Sequence, residues 1–500
     1  MSIRLADERL KRPFNRWRIW SERLALFLRG LESVIVPFLN ILAVAYLIFG
    51  LDDLFIDINA YVRRLFPQRA TPTELEELYR LPEKRIAIII PAWHESEIIA
   101  RMLAGNFERI EYAAYDFFIG VYPNDEETIE AVRQAQGICP NVHCVINEKA
   151  GPTTKGQMLN LVVRSIFEFE KINQVHFDAI HMQDAEDIIH PLALMLVNQR
   201  LDSFDFIQIP VFSLEVKALQ LVGGTYMDEF AESHTKDMFV REALGAAIPS
   251  AGVGTTMSRR LILALMNKQG GDYLNEGSLT EDYELGQQAK NLGYASHFAC
   301  VTYLEPETGA LEFIATREYF PKGFHRSIRQ KTRWVTGISF QGWANLGWPG
   351  SWANRYFLWR DRKSPLANLL SLLGYLCLPL LFYLKSQPSE DDANPPPQIP
   401  LWLITANLLL MFNRFLQRCI CVYRVYGPKA LPAIVLRLPL ANVINAFASY
   451  YAFKKVMTAK LEKRERLKWD STDHEIPEGF GQLTVKTAQP SAKEPVFAGD

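Results

Sequence analysis

Between His181 and Asp187 the chain reads His-Met-Gln-Asp-Ala-Glu-Asp and delivers three carboxylates within four residues. Ala179-Ile180 ahead of it reads as the tail of a buried strand. On an extended strand, residues two apart point to the same side, so Asp184 and Glu186 face one ligand together and Asp187 faces away. Two hard oxygen donors at the carboxyl end of a strand suit Mg²⁺ or Mn²⁺ carrying a diphosphate. Taken alone, the same residues also fit an acidic strand-to-helix turn, with one Asp capping a helix that starts near His190-Pro191.

Further groups can do chemistry. Around Leu279-Thr280-Glu281-Asp282-Tyr283, Ser278 and Glu281 fit a capping box, which predicts a helix from here to just before Gly293. Asp282 then lies in the first turn, where the helix dipole favours the ionised carboxylate that a general base needs. Folded back onto Ser278, Glu281 is occupied with its own helix. Ordinary acidic residues at a helix start are the plainer reading. Gln330, Arg333 and Trp334 share one helix face and join a forked donor for a diphosphate to a flat surface for a sugar ring. With His325, Arg326, Arg329 and Lys331 beside them, the stretch also reads as a lipid-contacting helix, and both readings can hold. Lys155 opens a helix against the dipole. A nucleotide phosphate or base edge is one reason for it, and a solvated loop lysine the other. Ser250-Ala251-Gly252-Val253-Gly254 is a small-residue turn that lets backbone approach a ligand, but it is not a GxGxxG loop.

The elements that must hold these residues alternate. Strands are predicted over 85–91, 116–121, 142–146, 179–183 and 205–211, and helices over 95–107 and 155–169. Such alternation implies a mostly parallel sheet with helices on both faces. Ligands bind such sheets outside the carboxyl ends of the strands. Asp184 lies at one such end, Asp125 follows the second strand, and Lys155 follows the third.

Length and charge bound the rest. Five hundred residues suggest two or three units, and a net charge of −2 gives no argument for nucleic acid, so none is expected as a partner. Six scattered cysteines show neither zinc spacing nor a disulfide framework. Residues 34–51 (VIVPFLNILAVAYLIFGL) and 366–384 (LANLLSLLGYLCLPLLFYL) carry no charge, and each is close to the about 20 residues that cross a bilayer. A third run, 401–423, holds Arg414 and Arg418, and a fourth, 433–453, holds Arg437, Pro439, Asn442 and Asn445. The expected organisation is a basic interfacial segment (1–32), a membrane anchor (33–56), an α/β domain (84–335), interfacial helices (336–365) and a transmembrane pair (366–425). An interfacial or re-entrant helix (433–455) and a cytosolic tail with a disordered end (456–500) follow. The acidic 386–400 loop, without Lys or Arg, fits the outer side. The basic first 30 residues conflict with a single span ahead of a cytosolic domain.

In chain order, Asp125, Asp184-x-Glu186, Thr280-Glu281-Asp282 and Gln330-x-x-Arg333-Trp334, followed by membrane runs, resemble the membrane-embedded family 2 glycosyltransferases that include cellulose and hyaluronan synthases. The resemblance covers about residues 85–334 plus the membrane frame. The wording IIIPAWHESEII, MQDAEDIIHP and Lys468-Trp469-Asp470-x-Thr472-x-His474 is similar to an inner-membrane branch of that family. That branch continues into a domain that binds a cyclic dinucleotide, and this regulation is not carried over. The metal motif here is Asp-Ala-Glu where most relatives have Asp-x-Asp. The resemblance implies a GT-A type, Rossmann-like catalytic domain on the cytosolic side of a bacterial inner membrane, in a multi-pass protein. It implies that Asp125 and Lys155 bind the nucleoside part of a nucleotide sugar, a UDP-sugar first. Asp184 and Glu186 would hold Mg²⁺ or Mn²⁺, Asp282 would act as base, Gln330 and Arg333 would hold the diphosphate, and Trp334 the acceptor sugar. The acceptor would be a growing glycan or a lipid-linked sugar, with membrane lipid and an export partner nearby. The rival reading is a membrane scaffold with an inactive transferase domain.

Overall fold

The structure is a computed structural model and describes residues 35–306, 308–385, 399–461, 475–477 and 479–481. The chain enters through α1 (Ile35–Val62), a short strand β1 (Gln68–Arg69) and α2 (Pro72–Arg80), which starts at a Thr71/Glu74 capping box. Strand and helix then alternate through β2 (Ile86–Pro91), α3 (Ile99–Arg109), β3 (Tyr115–Val121), α4 (Glu126–Gln136), β4 (Val142–Ile146), α5 (Lys155–Asn173), β5 (Ala179–Met182) and α6 (Ala193–Arg200). There follow β6 (Phe206–Gln208), β7 (Val211–Ser213), α7 (Leu221–Glu232), α8 (Met238–Ala243), β8 (Thr255–Ser258), α9 (Arg259–Gln269) and α10 (Glu281–Asn291). Short strands β9 (Ser296–Phe298), β10 (Val301–Leu304), β11 (Leu311–Phe313) and β12 (Thr316–Glu318) lead to α11 (Phe324–Val335), α12 (Gly342–Leu346), α13 (Trp352–Lys385), α14 (Leu401–Tyr426) and α15 (Ile434–Leu461).

Seven strands make the main sheet in the order β4-β3-β2-β5-β8-β6-β9. Strands β2 to β5 run parallel, and β8 runs antiparallel between β5 and β6. The central strand explains itself. Ile86-Ala87-Ile88-Ile89-Ile90 has no polar side chain, so both of its faces must be covered. Ile86, Ile88 and Ile90 enter one apolar layer with residues of α3, α4 and α6, while Ala87 and Ile89 enter the other with α5 and α9. The strand expected over 205–211 is two strands, β6 and β7, broken at Pro210, which has no N–H for a ladder bond. The helix expected from residue 95 begins four residues later, at Ile99.

Among the described residues, α1 is the one helix shown to be long and apolar enough to cross a membrane. Its second half carries acids that meet cations from later elements. Asp52 pairs with Arg360 and Lys363 of α13, Asp53 with Arg360 at 3.0 Å, and Asp57 with Lys236 at 2.6 Å. The apolar runs 366–384 and 401–423 fall in the second half of α13 and in α14, and the run 433–453 falls in α15. The stretch expected to be interfacial holds a π-helical turn (Thr336–Gln341), α12 and the first part of α13. Expectations for residues 1–32, for 386–398 and for the 468–474 motif lie outside the described residues.

Helix α7 joins the sheet domain to these helices through three acids. Asp228 pairs with Arg437 of α15 at 3.0 Å, Glu229 with Lys331 of α11 at 2.6 Å, and Glu232 with Arg418 of α14 at 2.5 Å. Asp228 and Arg437 are both almost fully buried. Removing one partner of such a pair leaves an uncompensated charge, at a cost of about 3–5 kcal/mol.

Close packing also fixes α10, the helix that begins at Glu281. A Cβ on Gly286 would run into the carbonyl oxygen of Ile248, which is backbone and has no rotamer to give. Gly286→Ala is therefore expected to lift α10 from its seat and lower the Tm of the full chain by about 5 °C or more. Thermal unfolding in detergent checks this, and an unchanged Tm would mean that α10 is not held by this contact.

Candidate active site

Four parallel strands, β2 to β5, end on one side of the sheet, and each is followed by polar residues. Beyond β5 the chain turns at once. Asp187, fully buried, accepts the N–H of Asp184 at 2.6 Å, and Asn106 holds the carbonyl of Asp187 and the N–H of Ile189. Asp184 and Glu186 thus lie in a turn rather than on an extended strand, and the strand-alternation argument for their shared direction does not apply. They still gather at one place. Burial pushes the carboxyl of Glu318 well above the ordinary range, and Glu186 and Asp184 push it further. His181, in the same motif, is a core residue. Thr256 and Gln183 occupy its two ring nitrogens, and burial lowers it to about 3, so it stays neutral.

Lys155 is the first residue of α5, whose cap is Thr154. Its Nζ donates to Asp184 Oδ1 at 2.5 Å. Burial works against its charge, but Asp184, Glu281 and Asp282 outweigh burial and hold it above the usual lysine range. A lysine that opposes the dipole is thus explained by carboxylates within the protein. Asp125 caps α4, where Oδ1 accepts Thr128 N–H at 3.4 Å and Oδ2 accepts His94 N–H at 2.7 Å. Nearby, Trp93 meets Tyr122 edge-on at 5.0 Å, and a Cβ on Gly151 would collide with both rings. Asp125 thus stands beside a cleft walled by aromatic rings and the loop before α5.

Helix α10 starts at Glu281 as expected, but no capping box forms. Thr280 is the cap residue and makes no side-chain cap bond, while the Ser278 hydroxyl donates to Glu284 at 2.9 Å. Ser278 sits two positions too early. Glu281 turns instead toward α5, with its Cγ 3.6 Å from where a Cβ on Gly156 would stand. Burial pushes Glu281 up to about 7; Asp282 adds to the shift, and Lys155 and Arg333 oppose it. Asp282 accepts the N–H of Tyr283 at 2.7 Å, and its Oδ2 lies 2.5 Å from where a Cβ on Gly252 would be. Gly252, at φ +83°, is required on both counts. Burial raises the Asp282 carboxyl, while Lys155 and Arg333 pull it back.

On α11, Lys331 points away from the cleft to Glu229 and Asn445. Arg333 faces the cleft and acts electrostatically on Glu281, Asp282 and Glu318. Its Nε and the Oε1 of Gln330 are buried and have no hydrogen-bond partner, as expected of groups that await a ligand. Trp334 meets Tyr226, Phe230 and Phe320 edge-on at 6.0–6.3 Å and remains half-buried. One turn further on, Gly337 packs directly on the Thr280 side chain.

The cleft therefore brings together Lys155, Asp184, Glu186, Glu281, Asp282 and Arg333. Gln330 and Trp334 lie on the same helix as Arg333, and Asp125 lies at the aromatic end. Glu318 is the addition. It ends a three-residue strand and belongs to no motif, so nothing in the sequence marks it. Among the described residues, no three His, Cys, Asp or Glu side chains could hold a metal by themselves. Mg²⁺ or Mn²⁺ on a nucleotide needs only one or two carboxylates and takes its other ligands from phosphate and water. Asp184 and Glu186 fit that division.

A raised carboxyl costs stability where it must ionise. Glu281 contributes its full stability below the ordinary carboxylate range and loses it as pH rises toward about 7. Glu281→Gln is thus expected to stabilise the protein at pH 8, by on the order of a kcal/mol or more, and to leave it unchanged at pH 4. This reverses what a capping box would give. Tm measured against pH decides between them, since a loss at pH 8 restores the capping role.

Comparison with known proteins follows this geometry. The profile described as "Glycosyltransferase like family 2" matches residues 82–337, about half of the chain. Bacteriophage adsorption protein B of Escherichia coli strain K12 is 38% identical over 91% of this chain. The chain spans 64% of that relative's length. A mannosyltransferase from Pyrobaculum calidifontis, solved with GDP-mannose and Mn²⁺, superposes with a TM-score of 0.50 at 14% identity, over 85% of this chain and 99% of its own. That likeness supports the GT-A type fold with its mostly parallel sheet. With its profile spanning the sheet domain through to α11, the chain belongs to the family 2-like glycosyltransferases.

Proposed function

We propose that this protein is a metal-dependent, inverting glycosyltransferase that moves a sugar from a nucleotide donor, a UDP-sugar first, to a glycan or lipid-linked acceptor at the bacterial inner membrane, for surface glycan synthesis. The observation that carries the reading is the meeting of Asp282, the Lys155–Asp184 pair and the unpartnered Arg333 at the carboxyl ends of the parallel strands. Asp125 and the aromatic wall take the nucleoside. Arg333, with Gln330, binds the leaving diphosphate, where a forked cation is worth most in a water-poor cleft. Asp184 and Glu186 would hold Mg²⁺ or Mn²⁺, which would supply further charge stabilisation to the diphosphate. Asp282 takes the proton of the acceptor hydroxyl as its oxygen bonds to the anomeric carbon and the bond from that carbon to the diphosphate breaks. One displacement inverts that carbon. Trp334 offers the acceptor sugar a ring face.

Chelation is expected to abolish transfer and Mg²⁺ or Mn²⁺ to restore it. Asp282→Asn should keep nucleoside diphosphate binding and lower the transfer rate by about 10²–10⁴. Wild-type activity should fall with pH through the raised carboxyl of Asp282. Transfer by the Asn variant at the wild-type rate would sink the assignment.

The membrane frame is part of the same proposal. In this reading α1, which alone among the described helices is long and apolar enough by itself, crosses the bilayer, the second half of α13 and α14 cross beside it as a pair, α15 is interfacial or re-entrant, and the sheet domain is cytosolic. Support comes from the paired acids at Asp52, Asp53 and Asp57 and from Arg414 and Arg418, which place charge at one level of the bundle. A reporter fused after Lys468 should read cytosolic, and a periplasmic signal refutes the arrangement.

A further inference from the structure

We infer that the segment 475–481 is a clasp on the sheet domain that positions the turn of Asp184 and Glu186 for the donor diphosphate, with Phe480 as its pin and Asn106 as the residue through which it acts. The inference rests on the cleft being a nucleotide-sugar site and adds the part that keeps its metal carboxylates in register.

Helix α3 is shaped to take the segment. Gly105 lies inside that helix, where glycine is a poor helix former and needs a reason. The Phe480 ring supplies one, since a Cβ on Gly105 would stand 2.5–2.8 Å from three of the ring atoms. Gly481 is buried, at φ +58°, and a Cβ there would run into the backbone carbonyl of Arg101. Only glycine meets both conditions. Arg101 closes the contact: its Nη2 donates to the carbonyl of Pro477 at 3.0 Å and to that of Phe480 at 3.2 Å. Arg109 covers the Phe480 ring at 5.9 Å. Arg101, Gly105 and Arg109 are four residues apart and form one stripe of α3. Ile476 packs on the apolar layer that covers Ile86, Ile88 and Ile90, and Glu475 pairs with Lys322.

The clasp grips the helical turn that holds the metal motif. Asn106 follows Gly105 and is fully buried. Its Nδ2 donates to the carbonyl of Asp187 at 2.8 Å, and its Oδ1 accepts the N–H of Ile189 at 2.9 Å. Asp187 in turn accepts the N–H of Asp184 at 2.6 Å. One turn of α3 thus bears Phe480 at Gly105 and the carboxylate turn at Asn106. Residues that orient metal ligands without touching the metal typically change its affinity by about 10–100-fold when they are lost. At the other end of the clasp, Lys322 stands just before Gly323, the cap residue of α11. The segment therefore ties the side of the cleft that carries Asp184 to the approach of the helix that carries Arg333.

Gly481→Ala undocks the clasp without touching the cleft, and three measurements on the full chain in detergent read the result. Chymotrypsin should cut after Phe480 at least tenfold faster in the variant than in wild type, while Tm stays within about 2 °C. Calorimetry with UDP and GDP first chooses the base, and nucleotide binding is then followed against Mn²⁺ concentration. The Mn²⁺ needed for half-maximal binding should rise about tenfold in Gly481→Ala and in Phe480→Ala. Phe480→Leu, which keeps an apolar pin, should stay within about twofold of wild type. Nucleotide binding in EDTA should be the same in all four proteins. Equal cutting of wild type and Gly481→Ala overturns the clasp. An unchanged Mn²⁺ requirement in a variant whose Phe480 has become accessible overturns its positioning role. A loss of nucleotide binding that is as large in EDTA, or that comes with a Tm lowered by about 5 °C or more, makes the segment merely structural and also overturns that role. Wild type that binds neither UDP nor GDP at any Mn²⁺ concentration overturns the nucleotide-sugar reading itself, and the positioning role with it.

Discussion

Like charge crowded into a partly buried cleft is the constraint from which most of this structure follows. Carboxylates from the turn after β5, from α10 and from β12 converge where the parallel strands end, and among the described residues Lys155 and Arg333 act on them electrostatically. Left to themselves, such groups would repel, hydrate and pull the elements apart. The fold resists by burying apolar layers on both sides of β2 and by seating α10 against backbone at Gly286. Stability and chemistry oppose each other here, as the raised carboxyls of Glu281 and Asp282 record.

Much of this was legible in the residues. The all-apolar β2, the exact span of β4 and the start of α5 at Lys155 followed from composition and capping chemistry, because burial on both faces and N-caps leave strong local marks. Asp184, Asp282 and Arg333 were legible as well, because each sits in a motif whose spacing matters. What failed was fine local geometry. The capping box at Ser278 was a pattern two residues out of register, and tertiary burial turned Glu281 toward Lys155 instead. The turn that Asp187 imposes on Asp184 depends on Asn106, far away in the chain. Glu318 could not be seen at all, since only the pairing of β12 with β7 and Ile188 brings it to the site.

The sheet domain and the long helices are joined by charge more than by grease. Helix α7 sends Asp228, Glu229 and Glu232 to three different partner helices, and Lys331 of α11 takes one of them. Lys331 lies between Gln330 and Arg333, so the element that lines the cleft is anchored on its other side to the bundle. Pairs of this kind add little net stability over apolar packing, but they are costly to misalign, and they fix one orientation of the domain on its frame.

The contact between Gly337 and Thr280 carries a mechanical consequence. Arg333 and Gly337 are four residues apart, so they lie on one side of a continuous helical segment. Thr280 stands two residues before Asp282. The segment thus carries the Arg333 guanidinium and, one turn on, the surface that rests on Thr280. A rotation of the segment that moved Arg333 would also move Gly337 against Thr280. In the mechanism proposed above, this one contact would couple the grip on the donor to the position of Asp282.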